Sequence, residues 1–184
     1  MLLATERLIL REWRDSDVST YVAMNQDPRV MEFFPSLWSE EESRLAAAGY
    51  NQSFVENGFG KFAIELKETH EFIGFVGLAI PQFEAHFTPA IEIGWRLASQ
   101  HFGKGYATEG AREVLRFAFE ELHLKEVVSF TVPENKASRN VMEKIGMTRD
   151  EKDDFLHPKI APDHKFSRHV LYRIKNKKIS IKKF

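Results

Sequence analysis

The sequence predicts a mixed α/β (α+β) fold, with a mostly antiparallel central sheet, one parallel strand pair and flanking helices. Three observations predict it. The runs "KFAIEL" (61–66) and "FIGFVGLAI" (72–80) have strand composition and flank a polar turn near Glu68–Glu71, which reads as an antiparallel hairpin. Residues 90–132 run strand, glycine loop, helix, strand, an order that joins two parallel strands through a right-handed crossover. The 184 residues, 43% hydrophobic and 29% charged, suffice for one compact domain with a substantial core, expected over 1–175 and followed by a basic tail at 176–184.

Each element has a local reason. "RLILREW" (7–13) alternates Leu8 and Leu10 against Ile9 and Trp13 and reads as a strand. Asp15 or Ser16 then caps a helix to about Gln26, which Asp27-Pro28 stops. "SEEE" (39–42) is a capping box: Ser39 accepts from the Glu42 backbone while the Glu42 side chain reaches back, opening a helix that ends at Asn57-Gly58. In "AIEIGWRLA" (90–98), Ile91, Ile93, Trp95 and Leu97 share one face of a strand, and Glu92, Gly94 and Arg96 the other. From Ala107 the period changes, and Ala107, Ala111, Val114, Leu115, Ala118, Phe119 and Leu122 mark one buried helical stripe. "VVSFTV" (127–132) is again a strand. After Pro133 a short helix carries Ala137, Val141 and Ile145 at spacing four and ends at Gly146. "RHVLYRI" (168–174) supplies the last strand.

Composition narrows the function. With no cysteine, the chain has no disulfide, thiolate metal site or cysteine nucleophile, which fits a reducing, cytoplasmic setting. No signal sequence and no run of ~20 apolar residues is present, so no membrane association is expected. A net charge of −1 argues against nucleic-acid binding, which needs an excess of Lys and Arg. From Arg173 onward the chain has six basic residues and no acid, read as a solvated extension. His157, His164 and His169 are irregularly spaced and lack a carboxylate cluster, so loop packing and hydrogen bonding, not a metal, is the expected use.

"QHFGKGYATEGA" (100–111) places two glycines and a lysine at the mouth of the predicted helix. A helix N-terminus presents unpartnered N–H groups and about half a positive charge. Gly103 and Gly105 let the main chain bend with its amides converging, Lys104 adds a cation and Thr108 a hydroxyl; together they form a cradle for a pyrophosphate. The pattern is neither a Walker loop, since Gly105 follows Lys104, nor a dinucleotide fingerprint, since Thr108 stands where a third glycine belongs.

"TERLILREW", "EIGWRLASQHFGKGYATEGA", "PENKASRNVMEKIGM" (133–147) and "FLHPKIAPDHKFSRHVLYRI" together resemble the GNAT acyltransferase superfamily, in the branch of the RimJ/RimL ribosomal-protein N-terminal acetyltransferases. The resemblance implies acetyl-CoA as co-substrate in a cleft between the two parallel strands, with Asn135 on the pantetheine arm. It implies that backbone amides near Trp95 and Leu97 face the thioester. The family's loop pattern, laid on Phe102-Gly105-Ala107, puts Gly105, Tyr106, Ala107 and Thr108 in the first helical turn. Phe102 then replaces the usual polar residue.

Acetyl transfer to an amine needs a neutral amine, donors for the developing oxyanion and a proton for the departing thiolate. The resemblance makes Glu92 the base, against the alternative of a solvent-facing or salt-bridged carboxylate. Many superfamily members carry a tyrosine acid seven residues after the asparagine read as Asn135; here that position is Met142, and Ser138 is the substitute, against the alternative of a plain first-turn hydroxyl. Gly94 eases approach to the strand or marks a bulge. Trp13, Trp38, Phe33 and Phe34 line the acceptor side or belong to the core. The expected activity is direct N-acetyl transfer to a primary amine, either a protein N-terminus, as on a ribosomal protein, or a small molecule, by a monomer or homodimer. The rivals are a non-catalytic acyl-CoA-binding module and an ATP-binding domain using "GKGYAT".

Overall fold

The computed structural model describes residues 1–176. In chain order the elements are β1 (Leu2–Ala4), β2 (Leu8–Arg11), α1 (Asp15–Asn25), α2 (Glu40–Asn57), β3 (Lys61–Leu66), β4 (Phe72–Ala79) and β5 (Glu92–Leu97). They continue with α3 (Tyr106–Glu120), β6 (Glu126–Thr131), α4 (Lys136–Lys144), β7 (Thr148–Arg149), β8 (Phe155–Leu156) and β9 (Arg168–Lys175). The sheet order is β1-β2-β3-β4-β5-β6-β9-β7, with β8 also paired to β9. Every pairing is antiparallel except β5 with β6, the pair joined by the α3 crossover, as the sequence predicts.

The capping box opens α2 as expected: Glu42 N–H donates to Ser39 Oγ at 3.1 Å, and Ser39 N–H donates to the Glu42 carboxylate at 2.7 Å. The start of α1 differs from expectation. The helix begins at Asp15, and it is the Asp17 carboxylate that accepts from Arg14 N–H. Asp17 is recruited by a buried cation: Arg11 grips it through both terminal nitrogens, at 2.7 and 2.9 Å, and holds Glu65 through Nε at 2.6 Å. This network ties α1 to β2 and β3.

Other boundaries shift for visible reasons. Trp13 leaves the strand, and its indole N–H donates to the Lys61 carbonyl beneath α1 and α2. No bulge occurs at Gly94, because β4 and β5 stay in register from Gly74↔Leu97 to Ala79↔Glu92. Ala137 is exposed, and the buried stripe of α4 runs through Met142 and Ile145 with Val141 partly covered. Gly105 stands just before α3 as its cap, not in the first turn. The short strands β1, β7 and β8 carry too few residues to show a period.

Apolar clusters cover both faces of the sheet, with a further one of Phe87, Val128, Phe155 and Leu171 around β6, β8 and β9. On one face Ile93 and Leu97 pack with Ala111, Val114, Leu115 and Ala118 of α3. On the other, Trp13 and Tyr21 pack with Ala47, Ala63, Phe72 and Phe75. Of the basic tail, Arg173 and Lys175 lie in β9, where Arg173 pairs with Glu126 and Asp153; residues 177–184 lie outside the described residues.

Candidate active site

The glycine loop has its donors unspent. Glycine is required where the chain turns left-handed: Gly103 has φ +73° and Gly105 φ +84°. A 3-10 turn at Ser99–His101 precedes them, with Phe102 N–H donating to the Ser99 carbonyl. Then, among the described residues, none of the six N–H groups of residues 103–108 has a protein acceptor; the next, on Glu109, returns to the Gly105 carbonyl. Phe102, Gly103, Lys104 and Gly105 are exposed, and Tyr106, Ala107 and Thr108 half-buried. Six N–H groups without a protein acceptor among the described residues thus gather at the positive end of a 15-residue helix, where an anionic group is favoured.

An acid in the first turn of α3 would weaken that end, and Glu109 stands there. Arg7 neutralises it. Its guanidinium binds the Glu109 carboxylate at 2.6 Å, lies 4.5 Å from the centre of the Tyr106 ring and donates to the Lys104 carbonyl at 3.1 Å. Thr5 Oγ1 donates to the same carboxylate. The brace joins residues 102 apart in sequence, so no local pattern announces it.

Beside the loop the parallel strands part. Glu92↔Val128 is their one registered pair, and Val128 N–H donates to the Ile91 carbonyl at 2.9 Å. Because backbone groups alternate along a strand, the N–H and C=O groups of Ile93, Trp95 and Leu97 point the same way as that carbonyl, into the wedge between β5 and β6. On the far side of the wedge, Asn135 caps α4, with Oδ1 accepting from Ser138 N–H at 3.1 Å and Nδ2 donating to Thr131 Oγ1. The Ser138 hydroxyl has no protein partner among the described residues.

The opposite face of β5 holds the ionisable groups. Glu92 is half-buried and its carboxylate makes no hydrogen bond or ion pair among the described residues; burial raises its pKa above the ordinary value, against the pull of Lys61. Tyr21 and Tyr50 share a hydrogen bond of 2.8 Å, and burial pushes both phenols up. Met142, at the expected place of a tyrosine acid, is 1% exposed in the core and takes no part. Sequence reasoning missed Arg7, Tyr50, Lys61 and Arg96, whose roles arise only from contacts across the sheet.

Residues 7–148 match the acetyltransferase (GNAT) domain. The chain belongs to the GNAT acetyltransferase family. The uncharacterized protein YkkB of Bacillus subtilis (strain 168) is 36% identical over 148 residues, covering 79% of this chain and 84% of that protein. A GNAT-family acetyltransferase from Bacillus anthracis superposes with a TM-score of 0.78 at 28% identity, covering 96% of this chain and 99% of that one. Mycobacterium smegmatis RimJ, solved with CoA-disulfide, shares the fold, with a TM-score of 0.72 at 20% identity over 94% and 83% of the two chains.

GNAT membership makes the chain an N-acetyltransferase by family and argues against the ATP-binding reading. The α3 crossover places the N-terminus of α3 beside the parting strands β5 and β6. No helix among the described residues is long and apolar enough to cross a membrane, and none of their His, Cys, Asp and Glu side chains group to hold a metal ion. The three histidines serve local structure: His157 Nδ1 accepts from Lys159 N–H, His164 Nδ1 accepts from Phe166 N–H, and the His169 ring lies 5.0 Å from that of His157.

Proposed function

We propose that this GNAT enzyme acetylates a primary amine directly in a ternary complex, with the N–H groups of residues 103–108 holding the diphosphate of coenzyme A. The single observation that supports this most is those six unspent donors beside an open strand edge. Bound acetyl-CoA supplies an acyl group activated as a thioester. The wedge-facing amides of Trp95 and Leu97 orient the pantetheine arm and donate to the carbonyl oxygen, with Asn135 on the opposite wall. Phe102 and Lys104 flank the loop's outer side, and Gly105 and Ala107 leave room for close main-chain approach.

Glu92 takes the proton from the acceptor ammonium, directly or through water. An alkylammonium has a pKa near ~10, so at neutral pH an unaided amine is almost wholly protonated. A carboxylate raised by burial and free of protein donors is a stronger base than one in water. The Ser138 hydroxyl, free of protein partners, is placed to give a proton to the departing thiolate. With no cysteine to carry an acyl group, transfer goes straight to the amine.

Calorimetric titration with coenzyme A tests the loop. We expect saturable heat for the parent, and binding weaker by roughly tenfold in Gly105→Ala, because a left-handed alanine costs about 1–2 kcal/mol. Absence of heat with the parent protein overturns the reading. Thiol release from acetyl-CoA across a panel of small amines and N-terminal peptides then identifies the acceptor class.

A further inference from the structure

Arg96 is a withdrawn cation without a counter-ion. Arg11, Arg149 and Arg173 are also withdrawn from water, and each holds two carboxylates. Arg96 is half-buried, and no carboxylate among the described residues lies within 4.0 Å of it. Its Nη1 donates to Asn25 Oδ1, and among the described residues its buried Nε has no acceptor and Nη2 no partner. Desolvation works against its charge, partly offset by Tyr21 and Tyr50. Burying an uncompensated charge costs several kcal/mol, so an arginine held this way is set to gain from an anion brought by a ligand.

Its position is fixed with precision. The guanidinium carbon lies 4.3 Å from the centre of the Phe34 ring, 4.8 Å from Trp38 and 5.6 Å from Phe75. Asn25, which orients it, is 0% exposed and is itself tied to Ser43 at 3.0 Å. A guanidinium held against aromatic rings keeps its planar fork of N–H donors, which matches the two oxygens of a carboxylate.

The sheet brings this cation to the reacting amine. Arg96 and Glu92 lie on the same face of β5, with Gly94 between them and Gly77 beside Gly94 on β4. Gly94 therefore leaves open space on this face, while the position of Gly77 is closed by the Gly60 carbonyl and the Lys61 backbone. A side chain at Gly94 would meet only Glu92 Oε1, 3.5 Å away, so the Glu92 carboxylate leans over Gly94 towards Arg96. Gly94 and Arg96 are separated by about 7 Å of strand. Lys61, opposite Gly77 on β3, adds a second cation without a carboxylate partner among the described residues, 5.1 Å from the Phe75 ring centre. The face thus offers one base and two cations a short molecule's length apart.

Building on the GNAT reading above, we propose that Arg96 selects the acceptor: it binds a carboxylate carried by the amine that Glu92 deprotonates, so the substrate is a small amino acid or a close analogue. Charge-assisted hydrogen bonds of this kind are strong and directional, and a neutral carboxamide cannot replace them.

Matched pairs test it: free amino acids against their carboxamides, with methionine, phenylalanine and glutamate as the panel, in the thiol-release assay. The expected result is a kcat/KM preference for the carboxylate of roughly ten- to hundredfold. In Arg96→Gln the preference falls to near unity through KM, with coenzyme A affinity unchanged by calorimetry. Peptides beginning Asp-Ala and Asn-Ala separate the sources: discrimination confined to the peptide pair assigns the carboxylate to an acidic side chain and overturns the small-amino-acid assignment.

A readout independent of turnover uses Trp38, whose ring centre lies 4.8 Å from the guanidinium carbon. With coenzyme A bound, N-acetylmethionine, N-acetylphenylalanine and N-acetylglutamate should shift its fluorescence saturably, and their amides should not. Equal response to acids and amides, or a preference that survives Arg96→Gln, overturns the proposal. Should Arg96→Gln fail to fold, the parent's response to the matched pairs decides alone. Failure of coenzyme A binding would strike the proposed function instead, and the fluorescence titration, repeated without coenzyme A, would still judge Arg96.

Discussion

The two faces of β5 are built on opposite terms. Beneath α3, Ile93 and Leu97 are 0% and 6% exposed, and they join a cluster of aliphatic and aromatic side chains. On the other face, among the described residues, Glu92 has no hydrogen bond and Arg96 no counter-ion, and two phenols are pushed up by burial. One face is complete without a ligand and contributes stability. The other withholds compensation from its charges, a cost that a bound substrate can offset. Under the proposed function, parity along a single strand separates the wholly apolar face of β5 from the one that carries its ionisable groups.

Glu92→Gln breaks the comparison most severely. General bases contribute roughly 10²–10⁴-fold, so kcat at saturating acceptor should fall by that range while coenzyme A affinity stays unchanged. The parent's kcat/KM should show an acid limb above the ordinary carboxylate range, because burial raises the Glu92 pKa and only the ionised form accepts the proton. That limb should vanish in the variant. Unchanged turnover would remove Glu92 from the mechanism.

Its neighbour on the other face should behave in reverse. Ile93→Ala should destabilise the fold by about 2–5 kcal/mol, from lost burial and the cavity left behind. Turnover per folded molecule should stay close to the parent's. Urea denaturation and active-site-normalised kinetics check the pair, and a large loss of kcat in folded Ile93→Ala would erase the division between the faces.

His169 sharpens the contrast from a third position. It too is a polar group in apolar surroundings, against Phe130 and Phe155, but its Nδ1–H has the Ser167 carbonyl at 3.3 Å. Burial lowers its pKa to about 4, with the Ser167 contact opposing. The unfolded chain then binds a proton near pH 6.5 that the folded one refuses until about pH 4, so stability is full above 6.5 and declines as pH falls through that window. One histidine contributes at most about 3 kcal/mol of loss by pH 4. Urea midpoints measured from pH 7 to 5, before paired carboxylates titrate, should fall less steeply in His169→Gln than in the parent.

The sequence showed what rests on local pattern. The hairpin at 61–79, the capping box at Ser39, the α3 stripe and the glycine turn before α3 are each written within a few consecutive residues, and the crossover order supplied the parallel pair. The alternation in "AIEIGWRLA" even separated the two faces of β5. It did not show what each face would meet. Arg96 gains its meaning from Phe34, Trp38 and Asn25, and Arg7 from Glu109, partners 58 to 102 residues away. The role of Asp17 at the start of α1 was unreadable because its partner Arg11, six residues away, is buried only through its pairing with Glu65, 54 residues on. Such pairings depend on which strands become neighbours, and periodicity carries no record of that.

The smallest effect is expected where the wedge meets α4. Ser138 has its backbone N–H committed to the Asn135 cap and its hydroxyl free, so Ser138→Ala removes a proton donor without disturbing the helix start. A thiol pKa near ~8.5 means that the thiolate leaves readily at neutral pH, and a donor helps only modestly. We therefore expect kcat to fall by less than tenfold at pH 7. The deficit should shrink further as pH rises past the thiol's own pKa, where the leaving group needs no proton. A fall comparable to that of Glu92→Gln would mean that proton delivery to sulfur limits the reaction. The unpartnered hydroxyl on the α4 side, and not the charged face of β5, would then govern the rate.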